Sequence, residues 1–288
     1  MSEPNVKAFF DEATNTYSYV VSCPETKACA VLDSVLDYDP SSGSTSTDSA
    51  DAVIEYVQAE GLACEWVIET HVHADHLSAA PYVKAKLGGK TGIGEHIKTV
   101  QSVFGKVFNA GTDFALDGSQ FDRLFVDGDR FTIGNLEALV IHTPGHTPAC
   151  LTYVVGLSAF VGDTLFMPDY GSARCDFPGG DARVLFESVQ KIFALPEETK
   201  LHMCHDYKAP GRDEYAYLTT VKAEREGNIH LKDGTSIDDF VKMRTERDAT
   251  LNMPRLILPS VQVNMRAGEL PEAEDNGVRY LKMPLNQF

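Results

Sequence analysis

The chain has 288 residues, of which 43% are apolar and 23% charged. Such a composition supports a sizeable core and excludes an extended disordered chain. Acidic residues outnumber basic ones 42 to 25, a formal charge of −17, which argues against a generic nucleic-acid or anionic-membrane binder because both partners are polyanions.

The first residues lack a basic segment followed by an apolar one, so no secretory leader is expected, and no run of 18 apolar residues marks a membrane span. Together with six scattered cysteines and no C-x-x-C pair, this predicts a cytoplasmic protein with reduced, mostly buried thiols. Residues 17–22 and 27–32 read as a hairpin. Residues 40–48 are polar and read as a loop ending in helix-capping residues. Val53, Tyr56 and Val57 then recur at helical spacing and Gly61 closes the helix. Residues 64–70 form a strand that runs into a histidine cluster, and 77–87 a helix with Pro81 in its first turn. The polar stretch 95–121 reads as a surface insertion with at most one short helix. Strand-like runs resume at 123–126, 131–133, 136–142, 150–155 and 158–161. Leu185, Val189, Ile192 and Phe193 make one apolar stripe on a helix over 184–195. A strand at 200–204, helices near 213–225 and 236–247, and a C-terminal extension near 230–288 complete the chain. Strands in each half interleaved with helices predict two sheets face to face with helices outside, in a single domain over 1–288.

The strongest chemical signal is Thr70-His71-Val72-His73-Ala74-Asp75-His76. Three of the nine histidines and a carboxylate fall within six residues at a strand end. In an extended segment His71 and His73 share a side, and a following helix would bring Asp75 and His76 to the same point. Imidazole and carboxylate suit zinc, iron or manganese. Three weaker words follow at later strand ends: Thr143-Pro144-Gly145-His146, Gly162-Asp163, and His205-Asp206-Tyr207. Taken singly, each reads as a turn. His142 reads as a strand histidine or one that supports a ligand from behind, and His202, inside its strand, as a packing residue.

Together these words resemble the metallo-β-lactamase fold superfamily, whose H-x-H-x-D-H signature is followed by a histidine, an aspartate and a last histidine. The resemblance implies a four-layer αβ/βα sandwich with a metal site at one edge. Flanking words resemble the persulfide dioxygenases: His205-Asp206-Tyr207, the stretch 167–177 with Arg174-x-Asp176-Phe177, and Val263-Asn264-Met265-Arg266-Ala267-Gly268. That family implies one Fe(II) held by His71, His146 and Asp163. His73, Asp75, His76 and His205 would surround it, and Tyr207 would reach it through its hydroxyl. The implied reaction is oxidation of glutathione persulfide by O2 to sulfite and glutathione, with no membrane or nucleic acid involved. The alternative is a dinuclear zinc thioesterase of glyoxalase II type. There His71, His73 and His146 hold one metal, Asp75, His76 and His205 the other, and Asp163 bridges. A non-catalytic metal- or thiol-binding regulator is a third reading, which the full set of seven site residues disfavours. The sequence leaves a homo-oligomer open.

Two positions depart from the dioxygenase pattern. Ala267 stands where some members have cysteine, and Asn228-Ile229-His230 stands where others read N-P-R. The glutathione carboxylates call for arginine, and the candidates are Arg174, Arg266, Arg212 and Arg225, with Tyr170 and Lys208. A local basic mouth near the late loops is expected despite the acidic whole.

Overall fold

A computed structural model describes residues 3–287. In chain order the first strands are β1 (Asn5–Asp11), β2 (Thr16–Ser22), β3 (Ala28–Leu32), β4 (Val35–Asp39) and β5 (Ser44–Ser46). They are followed by β6 (Ala63–Ile68), β7 (Leu77–Ser78), β8 (Lys90–Gly94) and β9 (Arg123–Phe125). One six-stranded sheet has the order β1-β2-β3-β6-β8-β9, and β4, β5 and β7 form a small separate sheet. The second large sheet consists of β10 (Arg130–Ile133), β11 (Leu136–His142), β12 (Leu151–Val155), β13 (Ser158–Phe160), β14 (Lys200–His202) and β15 (Leu218–Thr220), in that order.

Alternation along the strands decides which side chains meet. Tyr17, Tyr19 and Val21 of β2 and Ala30 and Leu32 of β3 face Ala138, Val140, Tyr153, Val155 and Phe160 of the other sheet. The opposite faces of the same strands, Val20, Cys29 and Val31, pack on α1 (Asp48–Ala59) and α2 (Ala80–Leu87). Beyond the second sheet, Ala159, Val161 and Leu201 pack on α4 (Ala182–Phe193), α5 (Val221–Gly227) and α6 (Ile237–Asp248). The result is the expected four-layer αβ/βα sandwich. Burying side chains such as Leu32, Ile68 and Phe160, each at most 2% exposed, contributes about 1.5–3 kcal/mol apiece.

Several elements differ from the sequence expectation. Strands β1, β4 and β8 were missed, although β1 pairs along the full length of β2 and β8 lies between β6 and β9. Part of residues 40–48 forms a hairpin, because Ser44–Ser46 pairs with the end of β4. The stretch 95–121 is less superficial than its polarity suggests: α3 (Ile97–Val107) buries Ile97, Val100 and Phe104 in one core cluster with Phe121. The helix expected near 213–225 is confined to its end, since residues 213–217 are not helical and β15 completes the second sheet against β14. Helix α5 begins only at Val221, where the Thr220 hydroxyl accepts the Ala223 amide and caps the helix. Finally, the C-terminal segment forms α7 (Ile257–Asn264), whose Val261 and Met265 pack with Val72 beside the histidine cluster.

Candidate metal centre

His71, His146, Asp163 and His205 each follow within four residues the C-terminal end of a strand, respectively β6, β11, β13 and β14. Residues 70–76 are loop rather than strand, and β7 intervenes before α2. The loop takes its shape from Asp33 at the end of β3. Its carboxylate accepts the Thr70 amide (2.7 Å) and hydroxyl (2.9 Å). Asn264 of α7 holds the other side: its amide donates to the carbonyls of His73 (2.9 Å) and His76 (2.8 Å) and accepts from the Ser78 amide (2.8 Å). Glycine is required at two turns. A Cβ on Gly145 would lie 2.4 Å from the Leu185 backbone, and one on Gly162 would lie 2.8 Å from the Thr70 hydroxyl.

Inside this frame the imidazoles present chosen nitrogens. His146 donates through Nδ1 to the Arg174 carbonyl (2.8 Å), which leaves a lone pair on Nε2. His71 has Nδ1 against the Thr70 hydroxyl (3.0 Å). Both Nε2 atoms approach Asp163 Oδ2, at 3.8 Å from His71 and 3.6 Å from His146. On the other side, His205 Nε2 lies 3.3 Å from both Asp75 Oδ2 and Asp163 Oδ1. His76 turns Nδ1 toward Asp75 (3.6 Å) and the Thr16 hydroxyl (3.4 Å). His73 sits deepest, with Nε2 3.0 Å from Asp33 and 3.2 Å from Glu69. Asp33, Glu69 and Thr16 were not foreseen in the sequence: Asp33 and Thr16 act through partners far along the chain, and Glu69 meets His73 and Ser78 only once the loop has folded.

Burial holds the His71 and His76 imidazoles below their usual pKa, with neighbouring histidines adding to the shift. For His205, Asp163 and Asp75 overcome burial and raise the pKa. Desolvation by the surrounding protein, with Asp75 and Asp163 nearby, holds the Tyr207 phenol above its usual pKa, although the residue is 39% exposed.

Among the buried atoms without a hydrogen-bond partner are Nε2 of His71, His76 and His205, Nδ1 of His73, and Oδ1 of Asp163. Orphaned polar atoms are costly in a dry interior unless something completes them. Here a cation would. His71, His146 and Asp163 offer ligand atoms within 4.8 Å of one another, as do His73, Asp75 and His76. The donor set therefore fits a metal, and nitrogen and oxygen ligands of this kind suit iron, zinc or manganese.

A cavity of about 340 Å³ opens above Asp75, His146 and Asp163. Tyr170 and Tyr207 both line it, packed 5.4 Å apart, ring to ring. Arg174 lines it as well, but its guanidinium is clamped by Asp176 (2.6 and 2.7 Å) and the Asn252 carbonyl (2.6 Å). The other three candidate arginines are not in the cavity wall. Arg212 pairs with Asp206 and Asp169, Arg225 with Asp233, and Arg266 lies over the Phe114 ring. Lys208 sits over Tyr215. Arg247 and Arg255 line the cavity instead, and the sequence offered no word to single them out. His142, in β11, donates to the Pro148 carbonyl, and His202 is stacked on Phe160 as a packing residue, as expected. Five of the six cysteines are buried and none is in a disulfide.

The profile of the Metallo-beta-lactamase superfamily matches residues 12–205. A probable metallo-hydrolase of Burkholderia pseudomallei is 60% identical, covering 98% of this chain and 99% of its own. Glyoxylase B2 of Dictyostelium discoideum is 51% identical over 99% of this chain and 98% of its own. The human mitochondrial persulfide dioxygenase ETHE1 is 30% identical over 91% of this chain and 88% of its own. Among solved structures, ETHE1 from Myxococcus xanthus superposes with a TM-score of 0.73 at 27% identity, covering 92% of this chain and 100% of that one. By fold, by the order of its site residues and by these relatives, the chain belongs to the metallo-beta-lactamase superfamily, with the ETHE1 persulfide dioxygenases among its homologues.

Proposed function

We propose that the protein is a cytoplasmic persulfide dioxygenase with one iron per chain, acting on glutathione persulfide. The observation that carries this reading is the convergence of His71 Nε2, His146 Nε2 and Asp163 Oδ2 beside an open cavity. Two histidines and one carboxylate leave coordination positions free for substrate and O2. The 30% identity to a protein named persulfide dioxygenase, over 91% of this chain, supports the same chemistry. Bound Fe(II) would supply redox capacity and a Lewis-acidic partner for the persulfide sulfur. The overall reaction balances as persulfide, O2 and water giving glutathione and sulfurous acid, which ionises to sulfite. The outer sulfur gives up the four electrons that O2 accepts, and the S–S bond breaks with a proton going to the glutathione sulfur.

The protein's own residues would do the rest. Tyr207, kept protonated, is a hydrogen-bond donor at the cavity edge. The Arg174 carbonyl fixes the His146 tautomer. Asp33 and Glu69 anchor His73 behind the site, and Asn264 keeps the 70–76 loop from relaxing.

A second reading is favoured by one specific observation. Asp163 presents Oδ2 to His71 and His146 and Oδ1 to His205, the arrangement a bridging carboxylate needs. His73 Nδ1, His76 Nε2 and His205 Nε2 also lack partners. A dinuclear zinc thioesterase would use all seven, and the names of the Burkholderia and Dictyostelium relatives agree with hydrolysis. Metal content and turnover separate the two. The dioxygenase predicts about one iron per chain and O2 uptake matching persulfide consumed. Two zincs with hydrolysis of S-lactoylglutathione would overturn it. In His73→Ala the dioxygenase keeps its iron with altered turnover, whereas the dinuclear enzyme loses metal.

A further inference from the structure

The cavity has two chemically different ends. Among the described residues the only carboxylates in its wall are Asp75 and Asp163, at the metal end. The outer end carries Arg247, near the end of α6, and Arg255, in the segment leading to α7, with Leu251, Pro254 and Leu256 between and beside them. Among the described residues neither Arg247 nor Arg255 has an ion pair or a side-chain hydrogen bond. The other two arginines of the wall are committed: Arg174 to Asp176, and the buried Arg244 to Asp248. In a chain with 42 acidic residues, two unpaired guanidinium groups facing a cavity without a carboxylate at their end are a positive pole in a negative molecule.

That pole is held in place. Asp248 accepts the Cys175 amide (2.8 Å), and Arg244 donates to the Ser172 carbonyl (3.0 Å). These bonds fix the end of α6 to the loop whose Arg174 carbonyl orients His146. His230 accepts the Ser172 amide through Nδ1 (3.0 Å). It is buried and engaged, so it supplies no anion clamp there.

We infer that Arg247 and Arg255 form the carboxylate-recognition end of the cavity and select a short thiol peptide bearing carboxylates, its sulfur directed toward His71, His146 and Asp163. Guanidinium is the side chain best matched to a carboxylate, through paired N–H donors. The intervening apolar wall suits the uncharged backbone and methylenes of such a peptide. This inference rests on the persulfide reading for the identity of the substrate, but binding alone tests it.

The test is calorimetric titration of the metal-loaded protein with glutathione, glutathione diethyl ester and coenzyme A, in wild type and in Arg247→Gln, Arg255→Gln and the double variant. Both arginines are exposed and unpartnered, so the variants are expected to fold, and circular dichroism verifies it. The expected result is glutathione binding that weakens on the order of tenfold in each single variant and further in the double. The diethyl ester should bind weakly to wild type and be insensitive to the substitutions. With glutathione persulfide as substrate, KM should rise with the loss of binding while kcat changes much less, the signature of lost uniform binding. Several results overturn the inference: no glutathione binding by wild type, equal binding of acid and ester, unchanged affinity in the double variant, or coenzyme A bound more tightly through the same arginines. Arginine-dependent glutathione binding without O2 uptake would retain the carboxylate site and reject the dioxygenase.

Discussion

The two walls of the site are built on different principles. The strand-end wall takes His71, His146, Asp163 and His205 from short words directly following β6, β11, β13 and β14. Its geometry is inherited from the sheets. The helical wall, comprising the end of α6, α7 and the segment between them, contributes Arg247, Arg255 and Asn264. Its geometry depends on where helices dock, through single hydrogen bonds spanning 188 or 191 residues. A wall of the first kind can hold its chemistry nearly constant while the second is re-cut for a different substrate.

Substitutions in each wall test that contrast, and the largest effect belongs to the strand ends. Asp163→Ala removes the carboxylate that both imidazoles approach. Metal per chain should fall to background by elemental analysis, a loss exceeding the roughly 10–100-fold that removing a ligand's hydrogen-bond partner costs. Full iron retention would show that the ligand set is misassigned. Asn264→Ala comes next. It strands two carbonyls and one amide in a dry interior, so urea denaturation should register a loss on the order of 2–4 kcal/mol. Metal affinity in a chelator competition should drop about 10–100-fold. If affinity holds while stability falls, α7 supports the fold without shaping the site.

Acid supplies an intermediate effect. Burial, with Arg244 and Arg247 adding to it, lowers the His230 pKa from 6.5 to about 4. Burial, with a smaller contribution from Lys200, lowers that of His202 to about 3. Both are therefore neutral in the fold, and below about pH 6.5 the unfolded chain takes up protons that the folded one refuses. Stability should decline as pH falls from about 6.5 toward 4, by on the order of 2–3 kcal/mol per histidine. His202→Phe should flatten that decline in chemical denaturation at pH 7 and pH 5. An unchanged slope would mean that other groups set it. The smallest effect is expected from Arg225→Ala, outside both walls, which should leave KM for the persulfide within error. A clear KM change there would erase the distinction between arginines inside and outside the cavity.

The same contrast explains what could be read in the sequence. His71, His73, Asp75 and His76 announce themselves because one turn after a strand brings them together, and the sandwich follows from alternation such as Tyr17, Tyr19 and Val21 against Val20. Nothing in the sequence singles out Asp33, because its role as the acceptor for Thr70 exists only once β3 and β6 are paired. The arginines proposed to meet the substrate were harder still. Arg212, Arg225 and Arg266 lie nearer the recognised words than Arg247 and Arg255 do, yet each finds a carboxylate, a carbonyl or an aromatic face on the surface. Which cation stays unpaired is decided by long-range packing, which no local pattern records. The helix expected near 213–225 failed for a related reason: Leu218 and Thr219 pair with β14, a contact that outweighs local helical preference.

The bridge between Thr16 and His205 joins the first large sheet to the segment following β14 of the second. Around it the Thr16 hydroxyl lies 3.4 Å from both Asp75 and His76 and 3.3 Å from His205. The candidate metal ligands thus come from both sides of the seam where the halves of the sandwich meet. A cation held there would act as a cross-link as well as a reagent, and its binding energy would add directly to folding stability. Resistance to heat and slow amide exchange at the ends of β2 and β14 would then track metal supply, so a starved cell would hold a loosened, shorter-lived protein rather than an idle intact one.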